Sequence, residues 1–234
     1  MIDYCIHYGL TEFYIFICYL AYNKRDLIPK IDNNIIKNVS IVHNINLIVL
    51  NTYVFLTTCY AFYDKQMLFY GNDPNDQTNL ILNNTMYLFW ISKYYDYIDT
   101  IIIILNNNFR QLSYLHVFHH STVSSILFFS YKFTPYCGDM WFPMMFNSFI
   151  HILLYYYYLL SITNDKQKIW WAKYLTRLQL IQFICIIAQQ YLSITTDKIY
   201  PYYVREVHIL YGFYMIYLFG QFYIKKYNIK KIED

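Results

Sequence analysis

Three histidines lie inside an apolar stretch, at His116, His119 and His120 of the segment LHVFHHST. Their spacing of i, i+3 and i+4 places them side by side on one face of a helix. An imidazole can act as a nucleophile, a general base or a metal ligand. Because polar groups are costly within a bilayer, three of them together indicate a functional site.

A second apolar segment carries a positively charged and a negatively charged side chain. In KYYDYIDT, Lys93, Asp96 and Thr100 share one helical face, and Asp99 lies beside that face. Pairing a lysine with an aspartate lowers the cost of burying either charge. The group therefore indicates either a binding site or an ion pair that only fixes helix packing.

Two later segments repeat polar residues along one face, and Gln111 stands one turn before the histidines. The repeats are Asn147, His151, Tyr155 and Tyr158 of NSFIHILLYYYY, and Thr176, Gln179 and Gln182 of TRLQLIQF. Taken alone, the glutamines are typical of hydrogen bonds between helices. Ionisable groups within a membrane usually point into an interior cavity. We therefore expect the polar sides of these helices to line such a cavity.

The composition that surrounds these residues is that of a membrane protein. The 234 residues are 57% hydrophobic and only 14% charged, whereas soluble domains carry about 25% charge. A net charge of +3 gives no basic patch for nucleic acid. The five cysteines are scattered without a CxxC pair, which predicts neither a disulfide framework nor a zinc site.

The apolar runs predict an all-α integral membrane protein with a single domain over residues 1–234. A span needs about 20 mostly apolar residues. Seven candidates meet or approach that length, and the first is the weakest because it is short and contains Glu12. They cover roughly residues 6–22, 41–63, 80–105, 112–133, 141–162, 174–194 and 204–224.

Lysine and arginine are concentrated in alternate connections, and this asymmetry predicts the orientation. The predicted cytosolic side holds Lys24, Arg25, Lys30, Lys37, Arg110, Lys166, Lys168, Lys173, Lys225, Lys226, Lys230 and Lys231, and the opposite side holds Lys65, Lys132, Lys198 and Arg205. The C-terminus is therefore expected in the cytosol. The polar faces of the third and fourth spans then lie in the cytosolic half of the bilayer, within reach of a soluble cofactor.

The four polar segments together resemble the signatures of the ELO family of very-long-chain fatty acid elongases. The family patterns KxxExxDT, QxxxLHxYHH, NxxxHxxMYxYY and TxxQxxQF stand here as KYYDYIDT, QLSYLHVFHH, NSFIHILLYYYY and TRLQLIQF, in the family's order. Three positions depart from the patterns: Asp96 replaces Glu, Phe118 replaces Tyr and Leu154 replaces Met. No departure removes a histidine.

The resemblance implies seven transmembrane helices, with six forming a barrel around an acyl tunnel and one outside. It implies a condensing enzyme of the endoplasmic reticulum membrane that joins acyl-CoA to malonyl-CoA, giving 3-ketoacyl-CoA, carbon dioxide and CoA. Malonyl-CoA is the co-substrate, and no metal or other cofactor is implied. Expected partners are the bilayer and the ketoreductase, dehydratase and enoyl reductase of the cycle, with no nucleic acid; a homo-oligomer is left open.

The resemblance also implies residue roles. His119 is expected to be the nucleophile toward the thioester, with His151 close by for acid/base work. His116 and His120 are expected to orient that pair or to stabilise the enolate oxygen. The expected substrate-binding residues are Lys93, Asp96, Asp99, Gln111, Asn147, Tyr155, Tyr158, Gln179 and Gln182.

Two other functions fit part of the pattern. A membrane di-iron desaturase or hydroxylase also uses an HxxHH box, but those enzymes resemble one another in clustering about eight histidines. This chain has seven, of which His7, His43 and His208 are isolated in the sequence. A seven-span receptor or transporter would share the orientation, yet it would leave the histidine box without an explanation.

Overall fold

The computed structural model describes residues 2–29, 31–163, 170–196 and 201–227, and all regular structure within them is helical. Of the lysines that predict the orientation, Lys30, Lys166, Lys168, Lys198, Lys230 and Lys231 lie outside these ranges. Two short 3₁₀ helices cover Arg25–Leu27 and Gly138–Met140. The α-helices are α1 (Ile2–Asn23), α2 (Asn33–Asp64), α3 (Leu80–Tyr95), α4 (Tyr97–Leu105), α5 (Tyr114–Phe133), α6 (Trp141–Ile162), α7 (Ala172–Thr196) and α8 (Tyr202–Tyr227).

Six elements pack side by side into a closed ring, in the spatial order α2, α3, α5, α8, α7, α6 and back to α2. The ring is tightest where α2 lies along α6 and where α7 lies along α8. Helix α1 stays outside and packs against α5 and α4. This arrangement confirms the expected ring of six helical spans with one extra helix on its outer surface.

The outer surface of the ring is apolar. Val49, Leu56, Leu210 and Phe213 each expose more than half of their side chains, whereas Trp90 is fully buried between α3 and α5. Four described helical segments are long and apolar enough to cross a membrane: Asn33–Asp64, Gly138–Ile162, Ala172–Thr195 and Tyr202–Tyr227. A helix satisfies its own backbone hydrogen bonds, which is a requirement in lipid. The chain is a multi-pass membrane protein.

The third predicted span covers the expected residues, but it is not one continuous helix. Helix α3 ends at Tyr95 and α4 begins at Tyr97. At the junction the amide of Asp99 bonds the carbonyl of Asp96 at 3.1 Å, an i to i+3 contact typical of a 3₁₀ turn. The break coincides with the buried pair of Lys93 and Asp96.

Two helix starts follow from capping residues. Asp32 accepts a hydrogen bond from the amide of Asn34 at 2.6 Å, so α2 begins at Asn33 rather than near residue 41 as predicted. Ser113 accepts from the amide of His116 at 3.2 Å and starts α5 one turn before the histidine box. The second cap fixes the register that carries all three histidines.

A polar network joins the loop after α2 to the start of α6 and the end of α7. Asp139 is fully buried, and its carboxylate accepts from the amides of Gly71 and Asn72 at 3.0 and 2.9 Å. The side chains of Asn72, at 2.9 Å, and Ser193 also donate to it. Gln189 donates to the Asp139 carbonyl at 2.8 Å. We refer to these five residues as the Asp139 network.

Candidate active site

The three histidines of α5 meet polar groups from different neighbours. His116 Nε2 lies 2.7 Å from Thr100 Oγ1 on α4, and Thr100 is in turn 3.2 Å from the Tyr14 hydroxyl on α1. The rings of His116 and His120 are 4.4 Å apart, centre to centre. The outer helix α1 therefore reaches the histidine box through a chain of two hydroxyl groups.

His119 turns toward α8. Its Nδ1 lies 3.2 Å from the hydroxyl of Tyr211, and that hydroxyl also accepts from Thr122 at 3.3 Å. His119 remains half-buried, and its ring centre is 5.7 Å from that of His120. Tyr211 lies outside the four polar segments, so the sequence analysis did not identify it.

Helix α6 completes the group from the other side of the ring. His151 is buried and lies close enough to His119 and His120 to interact with both electrostatically. Lys93 Nζ lies 3.4 Å from Asn147 Oδ1 and 3.5 Å from Asp96 Oδ2. We call the seven residues His116, His119, His120, His151, Lys93, Asp96 and Asn147 the histidine cluster.

Asp99 joins α4 to both α2 and α6. One carboxylate oxygen lies 3.0 Å from His43 Nε2, and the other accepts from the Tyr155 hydroxyl at 2.9 Å. His43, which is isolated in the sequence, therefore contacts Asp99, a neighbour of the cluster residue Asp96 on the same turn. Its position is set by the packing of α2 on α6, which no spacing within one segment can predict. Tyr158 lies one turn on from Tyr155, with 5.9 Å between ring centres.

Three expected binding residues make no hydrogen bond to the cluster. Gln111 is exposed in the turn before α5, where it lines an open depression with Ile102 and Asn106. Gln182 is buried and Gln179 half-buried on α7. Within the described ranges, no hydrogen bond connects any of the three to the histidines. Their roles stay predictions.

The cluster contains buried polar atoms that the described part of the chain leaves without a hydrogen-bond partner. These are Asp96 Oδ1, His120 Nδ1 and His151 Nδ1. Buried polar atoms are nearly always bonded, so each exception needs an explanation. A polar ligand that enters the interior of the ring would supply partners for them.

Metal ligation was the other chemistry open to the histidines. The described ranges contain no set of three or more His, Cys, Asp or Glu side chains with the geometry to hold a metal ion. Instead, His116 and His119 each direct one nitrogen at a hydroxyl group. Imidazoles held by hydroxyl groups, beside a lysine and an amide, fit nucleophilic and acid/base chemistry on an anionic or carbonyl substrate.

Comparison with known proteins places this arrangement in a family. The family model described as ELO: GNS1/SUR4 family matches residues 4–234. Very long chain fatty acid elongase 5 of Bos taurus is 32% identical over 199 residues, and elongase 4 of Mus musculus is 32% identical over 201 residues. These matches cover 84% and 82% of this chain, but only 66% and 63% of the relatives' own lengths. The chain belongs to the GNS1/SUR4 (ELO) family.

Proposed function

We propose that the chain is a fatty acid elongase that condenses a long-chain acyl-CoA with malonyl-CoA. The observation that carries the proposal is the histidine cluster: four imidazoles, a lysine and an amide contributed by three helical spans of one closed ring. The family membership and the names of the relatives agree with fatty acid elongation.

The first step is acyl transfer to His119. Its Nε2 attacks the thioester carbon, the carbon–sulfur bond breaks, and CoA leaves as a thiolate that takes up the proton lost from the imidazole. The product is a neutral acyl-imidazole and free CoA. We assign His151, the buried imidazole of α6, to help move that proton.

The second step forms the carbon–carbon bond. Malonyl-CoA loses carbon dioxide, and the electron pair of the broken bond remains on the thioester as an enolate. The enolate carbon attacks the acyl group, and the carbon–nitrogen bond to His119 breaks. The imidazole recovers a proton as 3-ketoacyl-CoA leaves. An interior poor in water protects the acyl-imidazole from hydrolysis.

The remaining residues of the cluster are assigned to binding and charge stabilisation. Lys93 and Asn147, which contact each other, are placed to hold the malonyl carboxylate or a thioester carbonyl. His116 and His120 orient the reacting pair or stabilise the enolate oxygen. The other proposed substrate-binding residues are Asp96, Asp99, Tyr155, Tyr158, Gln111, Gln179 and Gln182.

The test is a single-turnover experiment on the purified protein. Incubation with acyl-CoA alone should release up to one CoA per active site and raise the protein mass by the acyl group. His119→Ala should lose both signals. If the wild type releases no CoA until malonyl-CoA is added, direct condensation in a ternary complex replaces the covalent route. Incorporation of labelled malonyl-CoA, measured with acyl-CoAs of increasing length, then gives the preferred acyl chain length.

The orientation and location are part of the same proposal. We place the protein in the endoplasmic reticulum membrane with its C-terminus in the cytosol, where malonyl-CoA and the ketoreductase, dehydratase and enoyl reductase would meet it. A glycosylation tag at the C-terminus should stay unmodified, and one in the 64–78 loop should be modified. The reverse pattern would put the cluster on the wrong side for cytosolic substrate. Cross-linking in membranes tests for a homo-oligomer.

The di-iron desaturase or hydroxylase is the second candidate, because it shares the HxxHH spacing. Elemental analysis separates the two. An elongase should hold no stoichiometric iron or zinc and should keep its condensing activity after treatment with strong chelators. Two irons per chain would favour the desaturase and overturn the proposal.

A further inference from the structure

We infer that Tyr211 is a positioning residue for His119: it holds Nδ1 and leaves Nε2 as the nitrogen that meets the acyl group. The inference rests on the proposed function, because it assigns a role within the acyl transfer to His119. It starts from the placement of one hydroxyl group on α8, opposite the histidine box of α5.

The two nitrogens of His119 differ in their surroundings. Nδ1 faces the Tyr211 hydroxyl at 3.2 Å. Among the described residues, the one hydrogen bond to the His119 ring is at Nδ1. In a neutral imidazole one nitrogen carries the proton and the other is the nucleophile, and the hydrogen bond of one nitrogen decides which. Nδ1 is therefore the nitrogen that the protein holds, and Nε2 is the one left for substrate.

Tyr211 is itself fixed. Thr122, one turn from His119 on α5, has its hydroxyl oxygen 3.3 Å from the tyrosine oxygen and bonds the Phe118 carbonyl at 2.6 Å, so Tyr211 contacts the same helix that carries the histidine. A tyrosine oxygen has two lone pairs and one hydrogen. It can therefore accept from Nδ1–H, and this pairing is the one that leaves a free lone pair on Nε2 for the thioester.

A hydroxyl group also suits the state that follows. When Nε2 is acylated, the Nδ1 proton leaves with the CoA thiolate and Nδ1 becomes an acceptor. The Tyr211 hydroxyl then donates its own hydrogen to Nδ1. This donation draws electron density from the ring and makes the acyl-imidazole a better acceptor for the enolate. Tyr211 thus pairs with Nδ1 before and after acylation, whereas phenylalanine pairs with it in neither state.

The experiment compares Tyr211→Phe with Tyr214→Phe in the full-length protein, using the CoA burst with acyl-CoA alone. Tyr214 lies on the same helix and its hydroxyl contacts the exposed Tyr114 at 3.1 Å, so it is the matched control. Three quantities are measured: the burst rate constant, the burst amplitude, and the lifetime of the acylated protein.

We expect Tyr211→Phe to lower the burst rate constant by about 10- to 100-fold, in line with the loss of groups that orient a reactive imidazole. The burst amplitude should stay near wild type, and the acylated protein should persist longer. Partial misfolding would lower the amplitude without changing the rate constant, so the two effects separate. Tyr214→Phe should match wild type in all three quantities.

A wild-type burst rate in Tyr211→Phe would overturn the inference while leaving the proposed function intact. A wild type without any burst would instead refute the acyl-histidine step and the inference with it. If Tyr211→Phe yields no burst-competent protein, Thr122→Val replaces it, because it removes the hydroxyl group that contacts Tyr211 with little change in shape. A lowered rate constant at full amplitude then supports the role, and an unchanged one contradicts it.

Discussion

Among the described residues, the ring buries the carboxylates of Asp139 and Asp96, and the surroundings of the two differ. The carboxylate of Asp139 accepts four hydrogen bonds, from two amides and two side chains. In the histidine cluster, Asp96 has only Lys93 at 3.5 Å for one oxygen, and its other oxygen has no partner among the described residues. A fully satisfied network fixes a structure, whereas a partly satisfied one is costly and is kept for another reason.

The comparison assigns stability to the Asp139 network and chemistry to the histidine cluster. The cluster carries polar atoms that the fold does not use, on helices that the fold holds firmly. Proteins often leave buried polar groups without hydrogen-bond partners at functional sites, and other parts of the fold compensate for the lost stability. Mutations in the two regions should therefore separate activity from stability.

The largest expected effect is on activity at His119. His119→Ala should lower the condensation rate by on the order of 10³- to 10⁶-fold, as the loss of a nucleophile commonly does. Its midpoint of thermal unfolding should change little, since the ring loses one half-buried imidazole. Activity assays and thermal unfolding in detergent measure both. A variant that unfolds early and keeps its specific activity would reverse the assignment.

Lys93 tests whether the cluster also contributes to stability. Lys93→Met leaves Asp96 as a buried carboxylate without its cation, which should cost about 3–5 kcal/mol of unfolding free energy and abolish activity. Adding Asp96→Leu removes the stranded charge as well. The double variant should regain most of the stability and none of the activity, as measured by unfolding and by labelled malonyl-CoA incorporation. Restored activity would show that the pair only packs helices.

The Asp139 network should show the opposite behaviour. Asp139→Ala leaves buried hydrogen-bond donors without an acceptor, and each unpaired donor costs about 1–3 kcal/mol of unfolding free energy. The amide of the exposed Gly71 can bond to water instead, which reduces the total loss. We expect a loss of about 2–4 kcal/mol in unfolding free energy. The folded fraction should keep its activity per active site. Asp64→Asn is the control, because this exposed aspartate makes only a surface pair with Lys65.

The smallest expected effect concerns Asp96. Asp96→Glu restores the commoner residue of the family pattern and lengthens the carboxylate arm by one methylene, toward Lys93 at 3.5 Å. The CoA burst should persist, and the condensation rate should stay within about tenfold of wild type, which corresponds to 1.4 kcal/mol. A dead enzyme would mean that the geometry of the α3–α4 junction depends on the shorter side chain.

The apolar runs predict most of the fold because lipid demands long apolar helices with internally bonded backbones. The span of residues 141–162 is located as predicted, and the histidine box lies on one helix as its spacing requires. The break at Asp96 was not predictable, because it depends on a buried pair within an otherwise helical pattern.

The site was predictable where its residues share a helix. Lys93 meets Asp96 as the i, i+3 spacing predicts, and the three histidines share one face. His43 and Tyr211 were missed because each reaches the site from a helix whose contact partner is chosen by tertiary packing. Gln111 shows the reverse case, since a residue one turn before the box in sequence stands exposed in a turn.

The first turn of α4 has a consequence for how the chain tolerates sequence change. Asp99 binds side chains of α2 and α6, and the next residue, Thr100, binds those of α5 and α1. Two consecutive positions therefore connect four helices. In a saturation-mutagenesis scan, Asp99 and Thr100 should accept few substitutions. The next position, the exposed Ile101, should accept most apolar residues. Within α4, the sequences of family members should therefore change most slowly in this first turn.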